Sequence, residues 1–220
     1  MIIAIDGPSG SGKSTLGRLL ARALRLLYID TGSMYRAVAL AVIDAHIDPS
    51  DKEAVTRLAN QIDIDLEGDP DSLKVLLNGR DVTDQIRTES VTEMSSIVST
   101  IPGVRRAMVE RQRVISKRGA VLNGRDIGTV VFPDADFKFF LTANPNERAE
   151  RRYKEDQSTS SSSATLAETL ADMIERDRRD STRADSPLRV ADDAVVIDST
   201  GKSIDAVFRE MIEKIRSKSV

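Results

Sequence analysis

Nine residues near the start of the chain, Gly7-Pro8-Ser9-Gly10-Ser11-Gly12-Lys13-Ser14-Thr15, have the types and spacing to hold a polyphosphate. They fit the pattern G-x-x-x-x-G-K-[ST] without a mismatch. Glycines let such a loop curl until its backbone N–H groups share one concavity, and a following helix adds the positive end of its dipole. Lys13 would then reach the β- and γ-phosphates of ATP, and the Ser14 hydroxyl would ligate Mg2+. The flanks argue against a chance glycine-rich turn. Ile2-Ile3-Ala4-Ile5 reads as a buried strand before the loop, and Leu16, Leu19, Leu20, Ala23 and Leu24 recur with helical spacing after it.

Further polar groups fall where other apolar runs end. Leu26-Leu27-Tyr28-Ile29 runs into Asp30 and Thr31, with Tyr35 and Arg36 close behind. In open α/β sheets this is the edge where ligands bind. Gly119-Ala120-Val121-Leu122-Asn123 runs into Gly124-Arg125-Asp126-Ile127-Gly128-Thr129. A charged pair between glycines is a poor plain turn and a good grip on a ligand. After the strand Phe137–Leu141, Asn144-Pro145-Asn146-Glu147 opens a helix carrying Arg148, Arg151 and Arg152, expected to dissolve at Asp156 into the serine run 158–163. That run should be mobile, as a linker or as the tip of a lid whose arginines close over phosphates. A helix from about Thr165 ends with Arg176, Asp180 and Arg183 on one face, which by itself reads as a salt-bridged surface.

The elements that must position these groups follow a β-α-β-α rhythm with one interruption. Ser33 is expected to cap a helix bearing Tyr35, Val38, Ala39 and Val42 on one face. Asp48-Pro49-Ser50 ends it, and 51–61 forms another short helix. The single histidine, His46, is expected to be solvated at the helix end. Ile64-Asp65-Leu66, Lys74-Val75-Leu76-Leu77, the turn Asn78-Gly79 and Arg80-Asp81-Val82-Thr83 read as antiparallel strands, so 62–99 is expected to be an inserted subdomain. Helices follow at about 89–98 and after Pro102-Gly103. The arginines of the latter, Arg105, Arg106, Arg111 and Arg113, read as mostly solvated. Ala194-Val195-Val196-Ile197-Asp198 is expected to be a last buried strand, and 203–217 a terminal amphipathic helix.

Composition narrows the function classes. With 220 residues, 40% apolar and 30% charged, the chain can bury a full core as one domain with an insertion. It has no cysteine, which excludes disulfides, thiolate catalysis and Cys-ligated zinc, so metal chemistry would use oxygen ligands. A net charge of −3, no Trp and 4% aromatics argue against nucleic-acid binding. No apolar run reaches membrane-span length, and the first residues have neither a basic start nor a cleavable apolar segment. A cytoplasmic protein without membrane partners is expected.

Taken together, these segments resemble the bacterial-type cytidylate kinases, nucleoside monophosphate kinases of the P-loop class. The resemblance runs nearly end to end. It rests on 7–15, Asp30-Thr31-Gly32-Ser33-Met34-Tyr35-Arg36, Asn78-Gly79-Arg80-Asp81-Val82-Thr83 with Ile86-Arg87-Thr88, 124–133, and Glu175-Arg176-Asp177 through Arg183 to Pro187-Leu188. It implies an α/β fold of five parallel strands flanked by helices, with core 1–61, 100–152 and 165–220, a monophosphate-binding insert at 62–99 and a lid at 153–164. It also implies that Thr31, Arg105 and Asp126 meet a cytosine ring. Arg36 and Arg125 would hold the acceptor phosphate with Tyr35 packed nearby, and Arg176, Asp180 and Arg183 would complete the site, Asp180 on the ribose hydroxyls.

The implied reaction is transfer of the ATP γ-phosphoryl to CMP or dCMP by a monomer, with Mg2+ as cofactor. Lys13, Arg125 and the arginines Arg148, Arg151 and Arg152 would stabilise the transferring group. Read without the resemblance, the same residues also allow a P-loop kinase for another small acceptor, or a nucleotide-dependent switch whose arginines meet a protein partner.

Overall fold

A computed structural model describes residues 1–159 and 164–218. In chain order the elements are β1 (Ile2–Asp6), α1 (Lys13–Leu24), β2 (Leu27–Asp30), α2 (Thr31–Asp44), α3 (Lys52–Gln61), β3 (Ile64–Glu67), β4 (Lys74–Leu77) and β5 (Arg80–Asp81). They continue with α4 (Glu89–Val98), α5 (Pro102–Ile115), β6 (Ala120–Gly124), β7 (Phe137–Thr142), α6 (Pro145–Thr159), α7 (Leu166–Thr182), β8 (Val195–Asp198) and α8 (Ile204–Lys218). Contacts divide the chain into two compact units, Met1–Tyr28 with Arg118–Val220, and Ile29–Lys117.

The first unit is built on the expected five-stranded parallel sheet, in the order β2-β6-β1-β7-β8. Helices cover both faces of such a sheet, so its central strands are apolar along most of their length. Ile3, Ala4, Ile5, Val121 and Leu122 are accordingly all fully buried. The register places Asp6 opposite Gly124, so the loop 7–12 and the segment 125–129 leave neighbouring strands side by side at the carboxyl edge. α1 lies on this sheet through Leu16, Leu20 and Ala21.

The second unit sets a three-stranded antiparallel sheet, β3-β4-β5, beside helices α2 to α5. Asn78 and Gly79 both adopt positive φ, 51° and 78°, which is what a two-residue turn between right-twisted strands requires. The expected insert, 62–99, lies within this unit.

Four local expectations are corrected. Asp30, and not Ser33, caps α2: its carboxylate accepts from Gly32 N at 3.1 Å, whereas Ser33 Oγ donates back to Asp30 O at 2.7 Å. β5 stops at Asp81: Val82 N still donates to Val75 O at 2.9 Å, but Val75 N turns to a side chain, Thr83 Oγ1, at 3.0 Å. β8 is an edge strand with Val196 54% exposed, and is not buried along its length. α6 does not dissolve at Asp156 but continues to Thr159, the Arg152–Asp156 pair (2.9 Å) bracing its last turns. The remainder of the serine run, 160–163, lies outside the described residues.

The tightest backbone approach in the first unit is at Gly7, whose φ is 147° and where a Cβ would stand 2.1 Å from Leu141 O. Only glycine meets both demands. Gly7→Ala is expected to cost about 3 kcal/mol or more of unfolding free energy in urea titrations, through clash and strain together. A loss below about 1 kcal/mol would show that the loop relaxes freely.

Candidate active site

The loop 7–12 turns into α1 at Gly12, which caps the helix in a left-handed conformation with φ 91°. Among the described residues no side chain caps α1, and no acidic residue occupies its first turn, so its terminal amides are available to an anion. Lys13 is 7% exposed, and its Nζ donates to Pro8 O at 2.6 Å. The same carbonyl accepts from Ser11 Oγ at 3.0 Å. Burial pushes the Lys13 ammonium well below the usual lysine range, and Arg125 adds repulsion, while Asp177 and Asp6 pull the other way. A desolvated cation of this kind gains most from an arriving phosphate.

Asn123, at the carboxyl end of β6, donates from Nδ2 to Ser14 Oγ at 3.1 Å. Among the described residues no group of three or more His, Cys, Asp or Glu is arranged to hold a metal ion. Ser14 therefore suits a hard cation only as one oxygen ligand, with substrate phosphates and water supplying the rest.

Asp6 links the loop to the next segment. Its carboxylate accepts from Ile127 N at 2.8 Å and Gly128 N at 2.7 Å, gripping the turn that follows Asp126. Burial raises its pKa to about 6, the two N–H bonds opposing that rise, Asp126 adding to it and Lys13 opposing it.

Beyond that turn, four expected site residues form one chain of charges. Arg125 Nε donates to Asp180 Oδ2 at 2.7 Å, Arg183 Nη1 lies 3.4 Å from Asp180 Oδ1, and Arg183 Nη2 lies 3.6 Å from Asp126 Oδ1. Burial alone would raise the Asp180 pKa, but Arg125, Arg176 and Arg183 together hold it below the usual carboxylate value. The face of α7 that reads as a plain surface in the sequence is thereby turned onto the Arg125-Asp126 segment.

The three arginines of α6 do not share a target. Arg151 reaches Glu147 and donates to Ser199 O at 2.8 Å, whereas Arg152 pairs with Asp156 and Glu155. Arg148 is buried, donating from Nε to Ala143 O at 3.1 Å and from Nη1 to Ser9 O at 2.9 Å and to Asp177.

In the second unit, Asp30 pairs with Arg36 at 3.2 Å. Thr31, in the first turn of α2, is 4% exposed. Arg105, expected to be solvated with its neighbours, is 2% exposed, lies 5.7 Å from the Tyr35 ring centre and donates to Ser99 O at 3.2 Å. Arg111 is likewise spent on the carbonyls of Ala59, Asn60 and Ile62, which it holds at the end of α3.

Sequence reasoning missed Asp6, Asp177 and the task of Asn123. Asp177 was detectable, since it lies three residues before Asp180 and so on the same helix face. Asp6 and Asn123 were not, because a polar residue ending a buried strand gives no indication of which loop it will meet.

A parallel sheet whose first strand feeds a phosphate-binding loop, with arginine–carboxylate pairs at the same sheet edge, defines a P-loop kinase of the α/β class. The family model for cytidylate kinase matches residues 3–217, and the chain belongs to that family. It is 47% identical over 219 residues to a cytidylate kinase of Geobacter sp. (strain M21), covering 99% of this chain and 94% of that protein. It is 49% identical over 220 residues to one of Solibacter usitatus (strain Ellin6076), covering 99% and 93%. Its backbone is similar, with a TM-score of 0.56 and 12% identity, to the crystal structure of an uncharacterized protein from Eubacterium ventriosum ATCC 27560, covering 99% of this chain and 98% of that one. That last likeness concerns the fold alone.

Asp6 ionises near 3.8 when unfolded and near 6 when folded, so the cost of burying its charge is absent below pH 4 and fully present above pH 7. An Asp6→Asn variant carries no such cost. Its unfolding free energy relative to the native chain is expected to improve by about 3 kcal/mol from pH 4 to pH 7 in urea titrations. A pH-independent difference would mean that Asp6 ionises normally.

Proposed function

We propose that this protein transfers the γ-phosphoryl of ATP to the 5′-phosphate of CMP or dCMP, giving CDP or dCDP and ADP. The observation that carries the reading is the linked array Arg125–Asp180–Arg183–Asp126, in the same unit as the phosphate-binding loop. It is a preformed set of forked cations with an acidic reader of the base beside them.

The loop 7–15 holds the ATP polyphosphate, with Lys13 on the β- and γ-phosphates. Arg36 and Arg125 hold the acceptor phosphate, for which the guanidinium fork provides paired donors that stay charged. Asp30 aims Arg36 through their ion pair, and Tyr35 packs beside the acceptor. Thr31, Arg105 and Asp126 meet the base, while Arg176, Asp180 and Arg183 complete the site, Asp180 on the ribose. A phosphate oxygen is already anionic, so no general base is required, and catalysis is in-line positioning plus charge stabilisation. Lys13, Arg125, Arg151 and Arg152 are assigned to the transferring charge. Arg148, which donates to Ser9 O and pairs with Asp177, acts on that charge through the phosphate-binding loop.

Mg2+ would be held by Ser14 together with the ATP phosphates, where it would screen their charge. Small nucleotides are the partners in this reading, and the enzyme works as a cytoplasmic monomer in pyrimidine nucleotide metabolism.

Selectivity follows from Asp126. Cytosine presents an N4 amino donor where uracil presents an O4 acceptor. A buried acceptor left unpaired costs about 1–3 kcal/mol, roughly tenfold to a hundredfold in selection.

The test is ADP release from ATP and Mg2+ with CMP, dCMP, UMP and AMP each offered as acceptor. Fast turnover is expected with CMP and dCMP and slow turnover with UMP, the preference collapsing in Asp126→Ala. Equal rates with every acceptor, or none above the acceptor-free rate, would overturn the reading.

A further inference from the structure

One peptide of the phosphate-binding loop is held from both ends by charged side chains. The Pro8 carbonyl accepts from Lys13 Nζ at 2.6 Å and from Ser11 Oγ at 3.0 Å. On the opposite side of the same peptide, Ser9 N donates to Asp177 Oδ1 at 3.0 Å. The next carbonyl, that of Ser9, accepts from Arg148 Nη1 at 2.9 Å, and Arg148 pairs with the other oxygen of Asp177. The Asp177 and Arg148 side chains are 16% and 9% exposed, so the pair is screened from water. Gly10, at φ 68°, packs so closely that a Cβ would stand 2.5 Å from Arg148 O and 3.0 Å from Met173 Cε. α6 and α7 therefore both press on the loop at the point the pair grips.

We infer that Asp177 is a positioning residue, which with Arg148 fixes the Pro8–Ser9 and Ser9–Gly10 peptides and thereby keeps the carbonyl that parks Lys13 in place. With glycines at 7, 10 and 12 on either side of this segment, the loop can absorb a turned peptide, because glycine takes either sign of φ. In one orientation the Pro8 carbonyl is turned to the Lys13 ammonium. In the flipped one, the carbonyl dipole would be withdrawn from Lys13 and the Ser9 N–H would lose its acceptor. A carboxylate on the N–H side and an ammonium on the carbonyl side both favour the first orientation. The anion's own repulsion of a phosphate is offset by Arg148 on its second oxygen, so the pair shapes the loop without adding net charge. This is a task for geometry more than for affinity. Arg148 acts in it through the loop, and the inference relies on the phosphotransferase reading only for its kinetic consequence.

The isosteric variant Asp177→Asn tests the clamp, with Glu175→Gln on the same helix as control, since among the described residues Glu175 pairs with its exposed neighbours Arg178 and Arg179 and not with the loop. Amide hydrogen exchange of Ser9, followed by NMR with no nucleotide present, should speed by about tenfold or more in Asp177→Asn. In turnover of ATP with CMP, kcat should fall by about tenfold or more while KM for CMP changes less than about twofold and the melting temperature stays within a few degrees. Arg148→Gln should add little to Asp177→Asn in the double variant, because the two side chains work as one unit. The control should match the native protein throughout. Unchanged exchange at Ser9, an intact kcat with a lowered melting temperature, or multiplicative losses in the double variant would each overturn the inference. Native turnover with CMP tests the phosphotransferase reading separately, because the exchange measurement needs no substrate.

Discussion

The arrangement depends on the parallel pairing of β1 with β6 and on the carboxylate that closes it. Once Ile3, Ala4 and Ile5 lie in register with Val121, Leu122 and Asn123, the loop 7–12 and the segment 125–129 must emerge next to each other. Asp6 then converts adjacency into fixed geometry by taking the Ile127 and Gly128 amides. Two neutral N–H donors on one carboxylate are a strong orienting contact, although burial makes that carboxylate hold its proton up to about pH 6.

Around this junction the protein buries several charged side chains. Lys13, Asp6, Asp126 and Arg148 are each less than a tenth exposed. Isolated ions at such depth would be very costly, so each is answered by an opposite charge or by backbone dipoles. Lys13 has the Pro8 carbonyl, Asp126 has Arg183, and Arg148 has Asp177. The compensation for Lys13 is incomplete, which is why its charged form stays disfavoured. A site whose cation is under-compensated in this way is prepared for a polyanion, which would restore the balance.

The second unit uses its charges differently. Arg105 is stacked near Tyr35 and tied to the Ser99 carbonyl, and Arg36 is held by the residue that caps its own helix. Each of these arginines is constrained by a short-range partner, so little rotamer freedom remains to be lost when a ligand arrives.

The strands and helices were legible in the chain because they depend on local patterns. The glycine-rich loop, the Asn78-Gly79 turn and the apolar runs at β1, β6 and β7 each carry their structure within a few residues. The segments expected to carry the site were legible for the same reason, as polar groups at the ends of apolar runs. What the sequence could not decide was which charges meet. Arg176, Asp180 and Arg183 have the spacing of an ordinary solvated face, and only the packing of α7 against the Arg125-Asp126 segment makes Asp180 and Arg183 part of one array. Asp6, Asn123 and Asp177 find their partners 121, 109 and 168 residues away, respectively. Helical and strand periodicities reveal which side of an element a residue occupies, but a hydrogen bond over such separations is settled only when the elements pack.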